Sequence, residues 1–202
     1  MTLWRGPKAL ILASQSRARK MLLANAGLAF EAVPADIDER AIQQHSKVAA
    51  PGEIAGLLAA EKALWVSQRR AGHYVIGADQ TLALGDRLFN KPGNRAAAVE
   101  QIRALSGGTH ALHSAIAVAL DGKVMFEAVA VARMTMRSLS EADIAAYLDA
   151  AGEAVTQSVG AYQLEGLGIH LFERIEGDHS TVLGLPLLPL LGFLRSQHLL
   201  AL

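Results

Sequence analysis

Apolar residues fall along this chain in two rhythms. Short solid runs with the composition of buried strands alternate with stretches in which apolar positions recur every three or four residues. Residues 8–13 (KALILA) read as a first strand ending at Ser14-Gln15-Ser16. A helix follows from Arg17 to Ala26, with Met21, Leu22 and Ala26 at helical spacing, Ser16 as N-cap and Gly27 just past its end. Phe30 to Val33 is a second strand, broken at Pro34, and the acidic segment Ala35 to Arg40 reads as a loop. Pro51-Gly52-Glu53 opens a helix reaching about Arg70, with Ile54, Leu57, Leu58, Ala63, Leu64 and Trp65 as its apolar stripe.

The stretch 74–120 organises the rest. An apolar run, Tyr74-Val75-Ile76, meets Gly77-Ala78-Asp79; a second run, Thr81 to Leu84, leads to a Gly85-Asp86 turn and then Asn90-Lys91-Pro92-Gly93. This spacing puts Asp79 and Lys91 at the ends of apolar segments, where an open α/β sheet presents side chains to its ligands. Asn94 caps a helix through about Leu105, with Val99, Ile102 and Leu105 inward. Thr109 to Leu120, an Asp121-Gly122 turn and Lys123 to Arg137 give the clearest hairpin signal in the chain. Ser140-Glu141-Ala142-Asp143 starts a helix to about Ala151, its acidic first turn suited to the helix dipole. Val159 to Tyr162 reads as loop, Ile169 to Ile175 as strand, and Pro186 as the N1 residue of a last helix. There is no internal repeat, low-complexity tract or linker, so the pattern predicts one compact α/β unit.

Composition narrows the function classes. The 202 residues are 51% apolar, enough for a substantial core. Lys plus Arg equals Asp plus Glu and no basic run occurs, which argues against a nucleic-acid-binding module. The absence of cysteine excludes disulfides, thiolate metal sites and cysteine nucleophiles. The first twelve residues lack the length and cleavage site of a signal peptide, and no apolar run approaches the roughly 20 residues of a membrane span. A soluble cytoplasmic protein is the expectation.

Several residues then stand out for chemistry. Ser14, Ser16, Arg17 and Arg19 follow the first strand and enter a helix, where hydroxyls, helix-terminal amides and guanidinium forks suit a phosphate. The alternative is a simple Ser N-cap with solvated arginines. Lys62 is either a helix-surface lysine or a catalytic cation; Lys91 is either a turn residue or a phosphate ligand. Asp79, a carboxylate directly after Val-Ile-Gly-Ala, is unusual for a core position, with a turn-capping role as the alternative. His110 and His113 read as structural. Glu39, Asp79 and Glu165 form a suggestive set of acids at loop or strand-end positions. Phosphoanhydride hydrolysis needs a divalent cation, carboxylates to hold it, cationic side chains on the phosphate oxygens and a means of activating water. The chain holds all of these residue types, but has neither a Walker-type GxxxxGK[ST] nor a GxGxxG after a strand. Paired carboxylates of a carbohydrate hydrolase, Asp79 with Glu165, lack an aromatic sugar platform nearby.

Taken in order, a series of short blocks resembles the Maf (septum formation inhibitor) family of nucleoside triphosphate pyrophosphatases. They are Leu12-Ala13-Ser14-Gln15-Ser16 with Arg19, Asp36-Ile37-Asp38-Glu39, Lys62-Ala63, Ile76-Gly77-Ala78-Asp79 and Asn90-Lys91-Pro92. Further on come Leu105 to His110, Gly160-Ala161-Tyr162 with Glu165 to Gly168, Glu173 to Ser180, and Gly184-Leu185-Pro186. The resemblance implies an α/β fold of two lobes, related to inosine triphosphate pyrophosphatases, with an elongated mixed sheet flanked by helices and a central cleft. It implies cleavage of a nucleoside triphosphate between the α and β phosphates, with Mg²⁺ or Mn²⁺, and a homodimer, to which the apolar end Leu199-Leu200-Ala201-Leu202 would offer a patch. By the same resemblance Asp79 is the proton acceptor, and Ser14, Arg19, Glu39, Lys62 and Lys91 bind phosphate or metal or orient the substrate.

Two departures matter. Where the family opens with S-x-S-P-R-R, Arg17 replaces the proline and Ala18 the first arginine. Gln80 and Glu165 stand where the branch acting on dTTP and UTP has Thr and Gln, and both resemble the branch acting on 7-methyl-GTP. An extra carboxylate there would complement a cationic methylated guanine. A nucleotide-binding regulator of septum formation with little turnover is the alternative function, favoured by the loss of the first motif arginine.

Overall fold

The computed structural model describes residues 3–202, so the first two residues of the segment read above for a leader lie outside it. It is a mixed α/β structure: a seven-stranded sheet in the order β2-β1-β3-β5-β6-β7, with β4 paired to β3, and helices against it. The strands are β1 (Leu10–Leu12), β2 (Phe30–Ala32), β3 (Val75–Leu84), β4 (Arg87–Phe89), β5 (Thr109–Leu120), β6 (Lys123–Met136) and β7 (Phe172–Glu176). The helices are α1 (Arg17–Asn25), α2 (Glu39–His45), α3 (Pro51–Ser67), α4 (Arg95–Leu105), α5 (Glu141–Ala151), α6 (His179–Val182) and α7 (Leu187–Ser196). The described chain forms two compact units: one takes the residues up to Gln80 with Ser114–Ala130 and His179–Leu202, the other Thr81–His113 and Val131–Asp178. The sequence pattern did not separate them, because β3, β5 and β6 each run without a break from one unit into the other.

In the first unit, β1 pairs in parallel with β2 and with β3, at Leu10↔Phe30 and Ile11↔Val75 among others. Strand alternation sorts the side chains onto two faces. Leu10, Leu12, Ile76, Ala78, Ile116 and Val118 share a core with Leu22 and Leu23 of α1 and Leu190 and Leu194 of α7. On the other side, Ile11, Ala13 and Val75 pack on Val66, while Ala55, Ala59 and Ala63 of α3 meet Ala115, Ala117 and Ala119 of β5. That alanine-on-alanine contact brings α3 close to the sheet. At Gly77 there is no room at all: a Cβ there would lie 2.0 Å from the Ala59 carbonyl oxygen and 2.7 Å from the Ala63 nitrogen.

The second unit holds the α4–α5 pair. Asn94 caps α4 by accepting from Ala97 N at 2.9 Å, and Ser140 and Asp143 form a capping box at the start of α5. Its buried polar pair is His110 with Tyr162, whose Oη lies 2.7 Å from His110 Nε2. Phe172 packs against both rings. His110 Nδ1 is buried without a hydrogen-bond partner, and burial lowers the imidazole pKa to about 4.

Several expectations change. The two apolar runs 74–76 and 81–84 are one ten-residue strand, because glycine and alanine at 77 and 78 fit under α3 rather than ending the strand. Asp79 is therefore inside β3, not at its end. The acidic loop stops at Asp38, which caps a helix at Glu39 that the sequence reading placed in the loop; Asp38 accepts from Ala41 N at 3.0 Å. Of the stripe expected on α3, Ile54, Leu58 and Ala63 are buried and Leu64 and Trp65 pack at the margin of the core, while Ala55, Ala59 and Val66, which that stripe did not include, are buried with them. Leu167–Leu171 forms 3₁₀ turns, so the strand expected from Ile169 begins at Phe172. Val159–Ala161, read as loop, is also a 3₁₀ turn. Pro186 is the N-cap of α7, one position earlier than N1. Of the apolar C-terminus, Leu199 is buried and Leu200 is bridged to Trp4 and packs on the same core, so the exposed part shrinks to Ala201 and Leu202. The Asp121-Gly122 turn is as expected, with both residues at positive φ as a tight hairpin needs.

Gly77→Ala should lower stability by about 2–3 kcal/mol, since the new methyl meets backbone that cannot yield. Gly93→Ala, with nothing within 4 Å of its Cβ, is the matched control; urea midpoints at constant m-value read the difference. His110 has its own signature. Its folded pKa lies below the unfolded value, so its contribution is complete above about pH 6.5 and is lost as pH falls towards about 4, up to about 3 kcal/mol. His110→Gln should flatten the pH dependence of unfolding in that window.

Candidate active site

Parallel strands β1 and β3 end at different heights, and this offset builds the site. The last paired residue of β1, Leu12, lies opposite Ile76, whereas β3 continues to Leu84. Asp79 thus lies three residues past the point where its neighbour stops, beyond the carboxyl end of β1, where parallel sheets open to ligands. Being two residues from Gly77, Asp79 faces α3, and Lys62 lies on α3 beside Ala63, which Gly77 contacts. Lys62 Nζ is 2.6 Å from Asp79 Oδ1 and 2.8 Å from Glu39 Oε1. Asp79 is 8% exposed overall and the Lys62 side chain 12%, while Glu39, at the first turn of α2, is 48% exposed. One ammonium therefore bridges two carboxylates delivered by two other elements.

The end of β1 adds hydroxyls and a guanidinium. Ser14 is buried, and its Oγ accepts from Ser16 N at 3.2 Å and from Arg19 Nη1 at 3.4 Å. Ser16 caps α1, accepting from Arg19 N at 3.4 Å. Arg19 is pinned by two backbone carbonyls: Nη1 donates to Ala78 O at 2.7 Å and Nε to Gly184 O at 2.8 Å. Burial lowers its pKa, against which the Asp79 and Glu39 carboxylates act. Burial likewise raises the Asp79 pKa, opposed first by Lys62 and then by Arg19. A raised carboxylate pKa makes a better proton acceptor. Arg17, by contrast, points outward from the same turn of helix and is exposed.

Gln80, next along β3, belongs to the opposite face of the strand. Its Nε2 donates to Ser114 Oγ at 2.8 Å, Val182 O at 3.0 Å and Thr181 O at 3.2 Å. Two carbonyls at this end of the amide fix its orientation and leave Oε1 as the group still available. Ser114 completes the arrangement by donating to Thr181 O at 2.7 Å. Sequence reasoning passed over Ser114 and the Thr181–Val182 segment. A serine inside an apolar strand, as Ser114 is, was the one available signal.

Lys91 and Glu165 belong to the second unit. Lys91 is exposed just after β4, and Glu165 is exposed in the turn that follows Tyr162. Gln101 of α4 ties these two segments together, donating to Asn90 O at 2.6 Å and accepting from Gly160 N at 3.0 Å. It too went unnoticed, since a helical glutamine carries no motif.

What the first unit assembles is a buried carboxylate, an ammonium and a guanidinium close to it, a second carboxylate and a hydroxyl-lined helix start. For a divalent cation it offers Glu39 and Asp79, and no group of three or more His, Asp or Glu among the described residues makes a closed cage. Two carboxylates suit a hard cation that takes its remaining ligands from substrate phosphates and water.

Known proteins match this chain along its whole length. A protein from Bradyrhizobium diazoefficiens that carries the name nucleoside triphosphate pyrophosphatase is 70% identical, each chain covered completely. One of the same name from Rhodopseudomonas palustris is 65% identical, again over the whole of both. A protein from Rhizobium etli named 7-methyl-GTP pyrophosphatase is 55% identical over 92% of this chain and 94% of its own. The sequence profile of Maf-like proteins matches residues 9–197, which takes in every residue of the site, and the chain belongs to the Maf-like protein family.

Proposed function

We propose that this protein is a nucleoside triphosphate pyrophosphatase, a hydrolase that splits the α–β phosphoanhydride to give a monophosphate and pyrophosphate. The observation that carries the reading is the buried Asp79 carboxylate held by Lys62 at 2.6 Å, with Glu39 on the other side of the same ammonium. The names of its full-length relatives support it.

In this mechanism Asp79 accepts a proton from the water whose oxygen forms the new bond to the α-phosphorus, as the bond to the α–β bridging oxygen breaks. Its raised pKa suits that role. The α1 N-terminus, Ser14 and Ser16 receive phosphate oxygens through N–H and O–H donors. Arg19 has Nε and Nη1 committed to backbone, which aims the rest of the fork without freeing it to wander. Lys62 offsets negative charge that shifts to the departing pyrophosphate. Glu39 and Asp79 are the residues that would hold Mg²⁺ or Mn²⁺. Such a cation, when bound, neutralises phosphate charge and polarises the phosphoryl oxygens.

For the base, Gln80 and Glu165 and the relative named 7-methyl-GTP pyrophosphatase favour 7-methyl-GTP over dTTP and UTP. Gln80 then contributes its Oε1, an acceptor, to the base. A second reading, a nucleotide-binding regulator of septum formation, draws on Ala18, which packs on the apolar core where the family carries an arginine. The enzyme and the regulator part company at Asp79.

Pyrophosphate release in Mg²⁺ or Mn²⁺ should fall by about 10²–10⁴-fold in Asp79→Asn, with nucleotide affinity by calorimetry largely kept. Wild type without turnover on any triphosphate would favour the regulator. Across a panel of canonical and modified triphosphates, kcat/KM should be highest for 7-methyl-GTP; dTTP turned over equally well would overturn the base assignment.

A further inference from the structure

The Lys62 ammonium occupies an unusual position. It lies 2.6 Å from Asp79 Oδ1 and 2.8 Å from Glu39 Oε1, at the point where the two carboxylates converge. A divalent cation held by both acids would take that same point. Two cations cannot share it, because adjacent positive charges in a largely buried site repel strongly and water screens them little. A second positive charge is close by and immobile: Arg19 is fastened to the carbonyls of Ala78 and Gly184 and acts on both Asp79 and Glu39.

We infer that Lys62 is a placeholder that competes with the divalent cation for the position between Glu39 and Asp79, so that the protein takes up its cation as a metal–triphosphate complex and not as a resident ion. The inference rests on the phosphate-hydrolysing reading above and specifies its substrate as the complex. A lone cation entering the site would have to expel the ammonium from both carboxylates without bringing an anion to receive it. Among the described residues no third carboxylate or histidine completes a cage that would compensate. A triphosphate changes both terms. Its oxygens ligate the cation, and they also accept the ammonium once it leaves the acids. Lys62 suits such an exchange, since its four-carbon stem lets the charge swing while the helix backbone stays fixed between Ala59 and Ala63. An arginine with its planar fork would lock the two acids instead.

The test is binding of Mn²⁺ alone, followed by electron paramagnetic resonance of the free ion and by calorimetry, for wild type, Lys62→Met and Lys62→Gln. Lys62→Met keeps the stem and removes the charge; Lys62→Gln also retains a hydrogen-bond donor for the acids, and serves if the first variant fails to fold by circular dichroism. Both variants should bind Mn²⁺ about tenfold or more tightly than wild type. Wild type should gain Mn²⁺ affinity when an α,β-methylene triphosphate is added, whereas the variants should gain less. Equal or weaker Mn²⁺ binding by the variants overturns the placeholder and leaves the hydrolase reading intact, provided that wild type still binds Mn²⁺ with the analogue. Absence of Mn²⁺ binding in all three proteins even with the analogue overturns the metal assignment itself, and the placeholder with it.

Discussion

An ionisable carboxylate sits in the interior of an apolar strand, and the surrounding structure answers that constraint. Burial opposes the charged form of Asp79, and the opposition is met by cations rather than by water. Lys62 reaches it from α3, and Arg19 of α1, fastened to the adjacent Ala78 carbonyl, acts on it through space, so a helix on each face of the sheet contributes one charge. The close approach of α3 is what makes the first of these possible. It depends on alanines at 55, 59 and 63 and on the absence of a side chain at 77.

The same strand divides its labour by face. Asp79 looks towards α3 and joins Lys62 and Glu39, while Gln80 looks the other way and is fastened to Ser114 and to the carbonyls of Thr181 and Val182. Adjacent residues thereby reach separate environments, one of ion pairs, the other of hydrogen bonds that hold an amide. The segment around Gly184 holds both Gln80 and Arg19, since its carbonyl accepts from the latter. Gly184 has φ of +84, a backbone region that side-chain-bearing residues rarely adopt, and a Cβ there would press on the Arg19 guanidinium at 3.3 Å.

The second unit is built on different terms. Among its buried polar groups are His110 and Tyr162, paired with one another in an aromatic setting that keeps the histidine neutral. Gln101 joins the Asn90-Lys91 segment to the Gly160 turn, so that the two exposed candidates of this unit, Lys91 and Glu165, are carried on segments anchored to one helix. These are positioning contacts made by uncharged groups, suited to holding loops in place.

The longer strands and helices apart from β4, α2 and α6, the hairpin at Asp121-Gly122 and the helix starts at Ser16, Asn94 and Ser140 were legible in the sequence, because periodicity and capping act over a few neighbouring residues. So were Asp79, Lys62, Glu39, Ser14 and Arg19 as candidates, through the oddity of an acid after Val-Ile-Gly-Ala and through blocks shared with a family. Which of them meet was not. That two apolar runs are one strand, that Glu39 begins a helix, that Gln80 turns from Asp79, and that Ser114 and Gln101 matter all depend on contacts between residues far apart in the chain. Local pattern fixes what a residue can form with its neighbours; only packing, here the fit of α3 over Gly77 and the offset ends of β1 and β3, decides which charges share a buried space.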